Sequence, residues 1–546
     1  MRKMQGGIRT TLIPRPVPLV LGLLVLAAMS GCGGSGGNDG GIGNGGGNGG
    51  GSASVSYTPG VFPKYDTLDN QCAAPRTGIN PNTNRPYPDT PGSAAIEKNW
   101  LRSWVNDTYL WYSEVPDLNP NSAVSVEDFF EQLKTSQVTP SGAPKDRFHF
   151  TLPTAKWEQL SQSGVSAGYG VQWFIIKDDP PREVRVAYVE PNSPAANAGL
   201  KRGDIVLNVD GADAVNGNSR AIVDTLNAGL FPADAGKSTA LTLRRRDNSS
   251  QYSVTLTSAQ ITSVPVQNVK VVDDGGVKVG YLLFNDHIAT AESQLIAAIN
   301  SLKSQGATEL VLDIRYNGGG YLAIASELAY MIAGPVRTSG LPFERLTFND
   351  KYPNTDPVTG EVLSATPFYD TSGFPGTPLD TPLPTLDLNR VFVLTGSNTC
   401  SASESIINGL RGINGFEVVQ IGATTCGKPY GFYPTPNCGT TYFAIQFKGV
   451  NAKDFGDYTD GFSPDNVVTV EGTEIPGCAV ADDFTRDLGD PAEARFAAAL
   501  QYRAGGTCPT QPVGPQLKGN FQAPRASEGY MHKPPMLENR ILGRPR

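Results

Sequence analysis

The sequence contains few of the residues that build metal centres. It has three His and seven Cys in 546 residues, and no two cysteines are spaced as CxxC. Because zinc and similar ions are held by clustered Cys and His, we expect neither a metal nor a cofactor. The formal net charge is -8, so nothing in the composition favours nucleic acid as a partner. A chain of 546 residues is long enough for two or three domains.

The N-terminus has the three parts of a secretory signal. A basic segment precedes the apolar run PLVLGLLVLAAM, which ends close to Cys32. This run is too short to cross a bilayer comfortably, and small residues follow it, as in signal peptides. We therefore interpret 1–32 as a signal peptide. Its basic residues are Arg2, Lys3, Arg9 and Arg15.

Cys32 follows Met-Ser-Gly and resembles the lipidated cysteine of the bacterial lipobox. The resemblance implies a lipid anchor on Cys32, and Gly33 in the next position favours the outer membrane, with the protein facing the periplasm. Ordinary signal cleavage beside an incidental cysteine is the alternative. The Gly-rich segment 33–60 is expected to be a flexible tether that holds the first domain off the membrane.

Six cysteines remain once Cys32 is set aside. An even number in an exported chain indicates disulfides, here up to three with fifteen possible pairings. The six are Cys72, Cys400, Cys426, Cys438, Cys478 and Cys508.

Two regions precede the second half of the chain. Residues 61–160 are predicted to be mainly helical, because AAIEKNWLRSWVNDTYLWY repeats apolar residues at helical spacing. Residues 165–262 change to strands around the short helix NSPAANAGL, and with GYGV ahead of them they resemble a PDZ domain. In that family a glycine-rich loop binds a peptide's terminal carboxylate through backbone N–H groups. The resemblance implies such a loop at Gly168, Tyr169, Gly170 and Val171.

From 268 to 508 strands alternate with helices, which predicts a mainly parallel sheet covered on both faces. Within it, the Pro/Thr/Asp-rich stretch 340–386 is expected to be an inserted surface loop. Residues 509–546 are rich in Pro and Gly without periodicity and are expected to be disordered. The predicted fold is therefore α/β: a mainly parallel-sheet core, a helical N-terminal part and an inserted PDZ-like, β-rich domain.

Three segments of the α/β region carry side chains suited to catalysis. LDIRYNGGGY ends a strand in a glycine turn, TGSNTCSASES places serines at a strand–helix junction, and IGATTCGKPYG contains a lysine among apolar residues. Each has a simpler interpretation: a tight turn, an N-cap serine and a solvated lysine. The last segment also matches the GxxxxGK of a phosphate-binding loop, but Pro429 stands where the magnesium-binding Ser or Thr belongs.

Taken in this order behind a PDZ-like domain, the three segments resemble the tail-specific (C-terminal processing) peptidases, a serine–lysine family. The family's SASE occurs as Ser401–Glu404 and its GK lysine as Lys428. The resemblance implies Ser401 as nucleophile, Lys428 as its base, and an oxyanion hole made by the N–H groups of Gly319 and Ala402. The family motif Asp-x-Arg-x-Asn-x-Gly-Gly corresponds to Asp313, Arg315, Asn317, Gly319 and Gly320.

A lysine in water has a pKa of about 10.4, so a lysine base that works near pH 7 must be held away from water and from carboxylates. No Asp or Glu lies within seven residues of Lys428, which suits this role.

One position departs from the family pattern. A glutamine often follows the lysine by four residues, and here that position is Phe432. Tyr430 or Thr425 could orient the amine instead, or the dyad works alone.

Two features near the dyad complete the expectations. Cys400 and Cys426 each lie within two residues of a dyad member, which suggests a disulfide that clamps the two loops, with the other four cysteines paired among themselves. Glu404 is interpreted as a first-turn helix charge and Ser403 as a surface or packing residue of the helix.

A Ser–His arrangement is the alternative to the dyad. His149 and His287 are the realistic candidates, and some distant relatives of the family use a histidine from the N-terminal region, which favours His149. The simpler interpretation of both is structural.

The sequence therefore predicts an envelope serine endopeptidase. Its PDZ-like module would bind the C-termini of unstructured polypeptides, and its lipid anchor would bind the membrane. The alternative is a lipoprotein that keeps the fold and binds peptides but has lost peptidase competence, with Phe432 as its main argument.

Overall fold

The computed structural model describes residues 54–81, 84–467 and 472–510, together with the backbone of 540 and 541. The predicted signal peptide, the lipidated Cys32 and most of the predicted tether lie outside those residues, as do 511–539 and 542–546 of the predicted disordered tail. Within the described ranges, no helix combines the length and the apolar character needed to span a bilayer.

Helices and short strands alternate in the N-terminal region. The helices are α1 (Ala94–Thr108), α2 (Val126–Glu131) and α3 (Thr154–Ser163). The strands are β1 (Gln71–Cys72), β2 (Ile79–Asn80), β3 (Arg85–Pro86), β4 (Thr90–Pro91) and β5 (Phe150–Pro153). α1 begins at Ser93, whose Oγ accepts the Ile96 N–H at 3.3 Å, and its buried face carries the stacked rings of Trp100 and Trp104. β5 pairs antiparallel with a strand of the core, so this region and the core share a sheet.

The second region is the inserted domain. Its strands are β6 (Val165–Gly168), β7 (Val171–Lys177), β8 (Glu183–Val189), β9 (Ile205–Val209), β10 (Ala212–Asp213), β11 (Ser238–Arg244), β12 (Gln251–Thr257) and β13 (Ala259–Thr262). Its helices are α4 (Pro194–Asn197) and α5 (Arg220–Leu230). An antiparallel sheet runs in the order β12-β11-β9-β8-β7. The entry strand β6 pairs antiparallel with the exit strand β13, so the two ends of this region lie side by side.

The core follows. Its strands are β14 (Val266–Asp274), β15 (Val277–Phe284), β16 (Glu309–Asp313), β17 (Gly320–Tyr321), β18 (Pro342–Thr347), β19 (Thr366–Pro367), β20 (Arg390–Thr395), β21 (Glu417–Gly422), β22 (Tyr430–Gly431), β23 (Thr435–Asn437), β24 (Thr440–Phe443), β25 (Phe447–Val450), β26 (Ser463–Pro464), β27 (Glu474–Ile475) and β28 (Gly477–Ala479). Its helices are α6 (Ala291–Ser304), α7 (Leu322–Thr338), α8 (Ala402–Gly412) and α9 (Ala494–Gly505). The tail contributes β29 (Arg540–Ile541).

The central sheet has the order β14-β15-β16-β20-β21-β28, and every neighbouring pair from β15 onward is parallel. Successive residues of a strand face opposite sides. Leu310 and Leu312 pack in one buried cluster with α6, α7 and α8, whereas Val311 packs in another with α9. Helices therefore cover both faces, and the predicted fold class is confirmed.

The stretch 340–386 differs from the expected surface loop. Its first residues form β18, which pairs with β19 and β25, and Phe343 is buried. Further along, the N–H groups of Gly373 and Phe374 donate to the buried carboxylate of Glu292. Proline and threonine suggested a loop, but the long-range pairing of β18 could not be seen in local composition.

Candidate active site

Ser401 lies at the junction of β20 and α8, immediately before the first helical residue, Ala402. Its backbone has φ 60° and ψ -116°, a conformation that L-residues rarely adopt. Its Oγ is buried and has no hydrogen-bond partner among the residues that the structure describes. A strained turn thus presents an unengaged hydroxyl at a helix N-terminus.

Glu404, three residues after Ser401, joins two loops. The serine loop is 396–401, between β20 and α8, and the lysine loop is 423–429, between β21 and β22. Ser401 N–H donates to Glu404 Oε2 at 2.9 Å, and Lys428 N–H donates to the same oxygen at 2.8 Å. Oε1 accepts the Gly427 N–H at 2.8 Å and the Thr425 hydroxyl at 2.5 Å. Because one oxygen accepts both N–H groups, the backbone nitrogens of Ser401 and Lys428 lie less than about 6 Å apart.

Glu404 is therefore more than a first-turn helix charge. The residue is fully buried, and burial raises the pKa of its carboxyl group. The sequence did carry a signal for part of this role, since Ser-x-x-Glu is the capping-box pattern and the Ser401 N–H bond is half of that motif. Nothing in the sequence around Glu404 indicated its hydrogen bonds with the lysine loop.

Lys428 follows β21 on a buried loop, and its side chain is 0% exposed. Its Nζ lies 4.6 Å from the ring centroid of Phe148 and 4.6 Å from that of Phe432. The position where the family often has glutamine thus presents an aromatic face to the amine. Of the two proposed substitutes, Thr425 donates to Glu404, and the Tyr430 ring packs edge-on against Trp111.

The structure contains the predicted disulfide between Cys400 and Cys426, with a Cα–Cα distance of 5.1 Å. The Cys426 N–H also donates to the Thr399 carbonyl oxygen at 2.9 Å. The serine and lysine loops are therefore joined covalently as well as through Glu404. The other pairs are Cys72–Cys438 and Cys478–Cys508.

The glycine turn that follows β16 lies against the serine loop. The Asn317 carbonyl oxygen accepts the Cys400 N–H at 3.1 Å and the Ser403 hydroxyl at 3.0 Å. Ser403 is accordingly buried and tied to the turn. Gly319 N–H donates to Asn317 Oδ1 at 3.0 Å, so in this structure that predicted oxyanion donor is engaged. Ala402 is the first residue of α8, where an N–H has no intrahelical acceptor.

The two candidate histidines occupy different settings. His149 Nε2 lies 3.0 Å from the Phe130 carbonyl oxygen, and its ring stacks on Phe130 at 3.8 Å, which is a structural role. His287 is buried beside the glycine turn, with Nδ1 2.9 Å from Asn317 Oδ1. Burial lowers the pKa of His287 to about 3, so its imidazole is neutral at physiological pH.

A cavity of about 1010 Å³ connects the inserted domain to the glycine turn. The predicted peptide-binding loop, Gly168 to Val171, connects β6 to β7 and lines it. At its other end the cavity reaches His287, Gly319 and Gly320. Trp173 of β7 and Leu230 of α5 also line this cavity.

One group of potential metal ligands occurs in the part of the chain that the structure describes: Cys400, Glu404 and Cys426. The two thiols are joined in the disulfide, and the carboxylate accepts backbone and hydroxyl donors. These three residues are thus committed to joining the two loops.

The fold and the site define an α/β core with an inserted, β-rich domain and with the backbones of Ser401 and of a buried lysine bonded to one carboxylate. The model of peptidase family S41 matches residues 278–467, that of the S41 N-terminal domain matches 97–149, and that of the PDZ domain matches 185–245. Residues 278–467 therefore form an S41 peptidase domain, preceded by an S41 N-terminal domain and a PDZ domain.

Known relatives agree with this assignment. A carboxyl-terminal-processing protease of Picosynechococcus sp. is 34% identical over 178 residues, covering 31% of this chain and 39% of that protein. One from Synechocystis sp. is 26% identical over 360 residues, covering 64% of this chain and 71% of that protein. The alignments span 39% and 44% of the first two curated relatives.

The fold itself is shared with a crystal structure assigned to an S41 protease of Bacteroides fragilis. That chain is 24% identical, with a TM-score of 0.54, and the match covers 77% of this chain and 98% of the other.

Proposed function

We propose that the chain is a serine endopeptidase of the tail-specific type, with Ser401 as nucleophile and Lys428 as general base. The observation that carries the proposal is the shared carboxylate oxygen of Glu404, which holds the N–H groups of both residues while both side chains are buried. A hydroxyl and an amine brought together away from water are the components of nucleophilic acyl transfer.

In the proposed reaction the neutral amine of Lys428 takes the Ser401 proton as Oγ attacks the peptide carbonyl carbon. The oxyanion is stabilised at the N-terminus of α8 by the Ala402 N–H. The lysine then gives its proton to the leaving nitrogen, and water hydrolyses the acyl-enzyme. Gly319 N–H becomes the second oxyanion donor once substrate displaces its bond to Asn317.

The inserted domain is proposed to bind the C-terminus of an unstructured polypeptide at Gly168–Val171 and to pass the chain to Ser401. The continuous cavity from this loop to Gly320 supports that path. Strand addition along β7 would supply backbone hydrogen bonds whatever the sequence of the polypeptide.

The test uses Ser401→Ala and Lys428→Met, with Ser397→Ala, a serine of the same loop, as the matched control. We expect the first two variants to lose at least about 1000-fold in casein cleavage, because nucleophile or base is missing. Ser397→Ala should keep wild-type turnover. Labelling by a fluorophosphonate probe should disappear in Ser401→Ala. Full cleavage by Lys428→Met would refute the dyad.

One observation favours a second candidate, a peptide-binding protein with impaired catalysis. The faces of Phe148 and Phe432 attract a cation and so favour the ammonium form of Lys428, whereas burial disfavours that form. Binding of C-terminal peptides by the wild type, without cleavage or probe labelling, would support this candidate.

We also propose that Cys32 is lipidated and holds the protein at the outer membrane, facing the periplasm. The support is the signal-like segment that ends at Cys32. Cys32→Ser should move the protein from the detergent phase to the aqueous phase on Triton X-114 partitioning. Equal partitioning of both forms would exclude the anchor.

A further inference from the structure

A short segment near the C-terminus pairs with the glycine turn of the candidate site. β29 runs parallel to β17, with Arg540 opposite Gly320 and Ile541 opposite Tyr321. Gly320 is the last glycine of the Asp-x-Arg-x-Asn-x-Gly-Gly motif. On its other side it forms a parallel bridge with His287, whose carbonyl oxygen accepts the Tyr321 N–H at 2.8 Å. The glycine strand therefore lies between His287 and the tail.

The same tail segment also lies beside β22, which starts two residues after Lys428. Its backbone therefore has both the glycine turn and the strand that follows Lys428 as neighbours. Ser401 belongs to the loop that is bonded to both, through Asn317 and through Glu404. A polypeptide that is to be cut by Ser401 must enter the same space.

The glycine edge is built for close approach of a backbone. Gly320 has φ 139°, and a Cβ at this position would come within 2.5 Å of the His287 carbonyl oxygen. Only glycine allows the strand to run here. A strand edge binds through N–H and C=O groups that every polypeptide has, so the ligand it selects is an extended chain of nearly any sequence.

Charge favours the chain's own tail as the occupant. Residues 511–546 contain six Lys or Arg and two Glu, whereas the whole chain has a net charge of -8. A basic segment tethered to an acidic body is attracted to it and is present at a high effective concentration.

We propose that the β17 edge is a binding site for an extended polypeptide and that the chain's own C-terminal segment, centred on Arg540–Ile541, is its resident ligand. The tail binds as a substrate binds and competes with substrate in cis. The competition rests on the proposed peptidase function, whereas the binding does not.

Binding is tested in the Ser401→Ala background by hydrogen–deuterium exchange, comparing the full chain with a form that ends at residue 510. We expect the Gly320 amide to exchange at least about tenfold faster without the tail, with the Tyr321 amide, which donates to the His287 carbonyl oxygen, as the internal reference. A synthetic peptide of residues 533–546 should restore protection. The same peptide with proline at both 540 and 541 is the control and should not, because proline lacks the N–H that pairing requires. Equal exchange in both forms would overturn the proposal.

Competition is tested with a casein-derived peptide in otherwise wild-type protein. If the tail occupies the site about 90% of the time, its removal lowers KM about tenfold. Ile541→Pro in the full chain should do the same, whereas Gln522→Pro, elsewhere in the tail, should not. If truncation changes the exchange rate but the protein cleaves no peptide, the tail-binding site is supported and the proposed peptidase function is refuted. Cleavage with KM unchanged by truncation or by Ile541→Pro would refute the competition.

Discussion

Glu404 shows at the scale of one residue how the candidate site is held together. Its carboxylate accepts donors from the serine loop and from the lysine loop, and no bulk water reaches it. Buried N–H groups cost free energy when they lose their acceptor. The arrangement of Ser401 against Lys428 therefore depends on this one carboxylate.

We predict that Glu404→Gln lowers the free energy of unfolding by about 2–4 kcal/mol and casein turnover at least about tenfold. The amide has nearly the same shape, but its NH2 group meets N–H donors where an oxygen is needed. Urea unfolding and initial rates measure the two effects. Glu417→Gln, on the exposed start of β21, should change neither. Wild-type activity in Glu404→Gln would show that the carboxylate does not position the dyad.

The aromatic surroundings of Lys428, which include Phe432, could be recognised only in the folded structure. The chain itself shows only that an aromatic residue stands where the family often has glutamine. Phe148 lies in the N-terminal region, 280 residues from Lys428 in sequence, and its ring reaches the same amine. Two aromatic faces around one lysine are a product of the fold.

At the scale of elements, two disulfides close chain segments of similar length in different places. Cys400–Cys426 has a sequence separation of 26 and joins the loops of the dyad, whereas Cys478–Cys508 has a separation of 30 and joins β28 to the segment after α9. The loop-entropy model gives each about 3–4 kcal/mol.

We expect the double variants Cys400→Ser/Cys426→Ser and Cys478→Ser/Cys508→Ser to lose similar stability, about 3–4 kcal/mol each. Only the first should lose peptidase activity, at least about tenfold, because only its bridge positions Ser401 and Lys428. Urea unfolding and casein cleavage below the unfolding range separate the two properties. Equal loss of activity in both pairs would indicate a general effect of stability.

The junction of the inserted domain with the core contains two interacting carboxyl groups. Glu190 follows β8, and Asp286 follows β15. Burial raises the pKa of Glu190 to about 7; burial and then the charge of Glu190 raise the pKa of Asp286 to about 7. In unfolded chains both titrate near pH 4. Both carboxyl groups therefore bind a proton more tightly in the folded protein than in the unfolded chain. The folding stability that this provides is fully present below about pH 4 and is lost as the pH rises through 7.

We predict that the wild type loses more thermal stability between pH 5 and pH 8 than Asp286→Asn does. The amide does not ionise, so the mutual repulsion never develops. The difference in the change of Tm should be at least about 2 °C, as measured by circular dichroism at several pH values. Parallel curves for the two proteins would show that this pair does not titrate in that range.

At the scale of the whole molecule, a buried ion network attaches the inserted domain to the core. Arg202 of the insert donates to Asp482 at 2.6 Å and to the Tyr316 hydroxyl at 2.6 Å. Arg315, from the Asp-x-Arg motif, binds the same Asp482 oxygen and also Glu493. The motif therefore links the insert, β16 and α9.

Arg202→Met should cost about 3 kcal/mol, because it removes one partner from a buried charge network. We expect calorimetry to resolve the inserted domain as a separate, earlier transition. Arg246→Met is the matched control: Arg246 also pairs with a core aspartate, Asp487, at 2.7 Å, but both side chains are more exposed. A surface pair contributes less than about 1 kcal/mol, so the control should unfold as the wild type does.

The order of regions, the fold class and the positions of Ser401, Lys428 and the glycine turn could be predicted from the sequence. Local patterns carry that information: apolar periodicity defines the β- and α-elements, and the SASE, GK and Asp-x-Arg-x-Asn-x-Gly-Gly motifs are each contiguous. Glu404 was also placed in the first turn of a helix, and the capping-box spacing Ser-x-x-Glu agrees with that position.

What the tertiary structure alone decided is how distant segments meet. Four contacts join residues that are far apart in the chain. They are the Glu404 oxygen shared by two loops, the Phe148 ring beside Lys428, the pairing of β18 with β25, and the tail strand beside Gly320. Local propensity depends on neighbours within a few residues, whereas these contacts depend on loop closure and on which buried polar groups find partners.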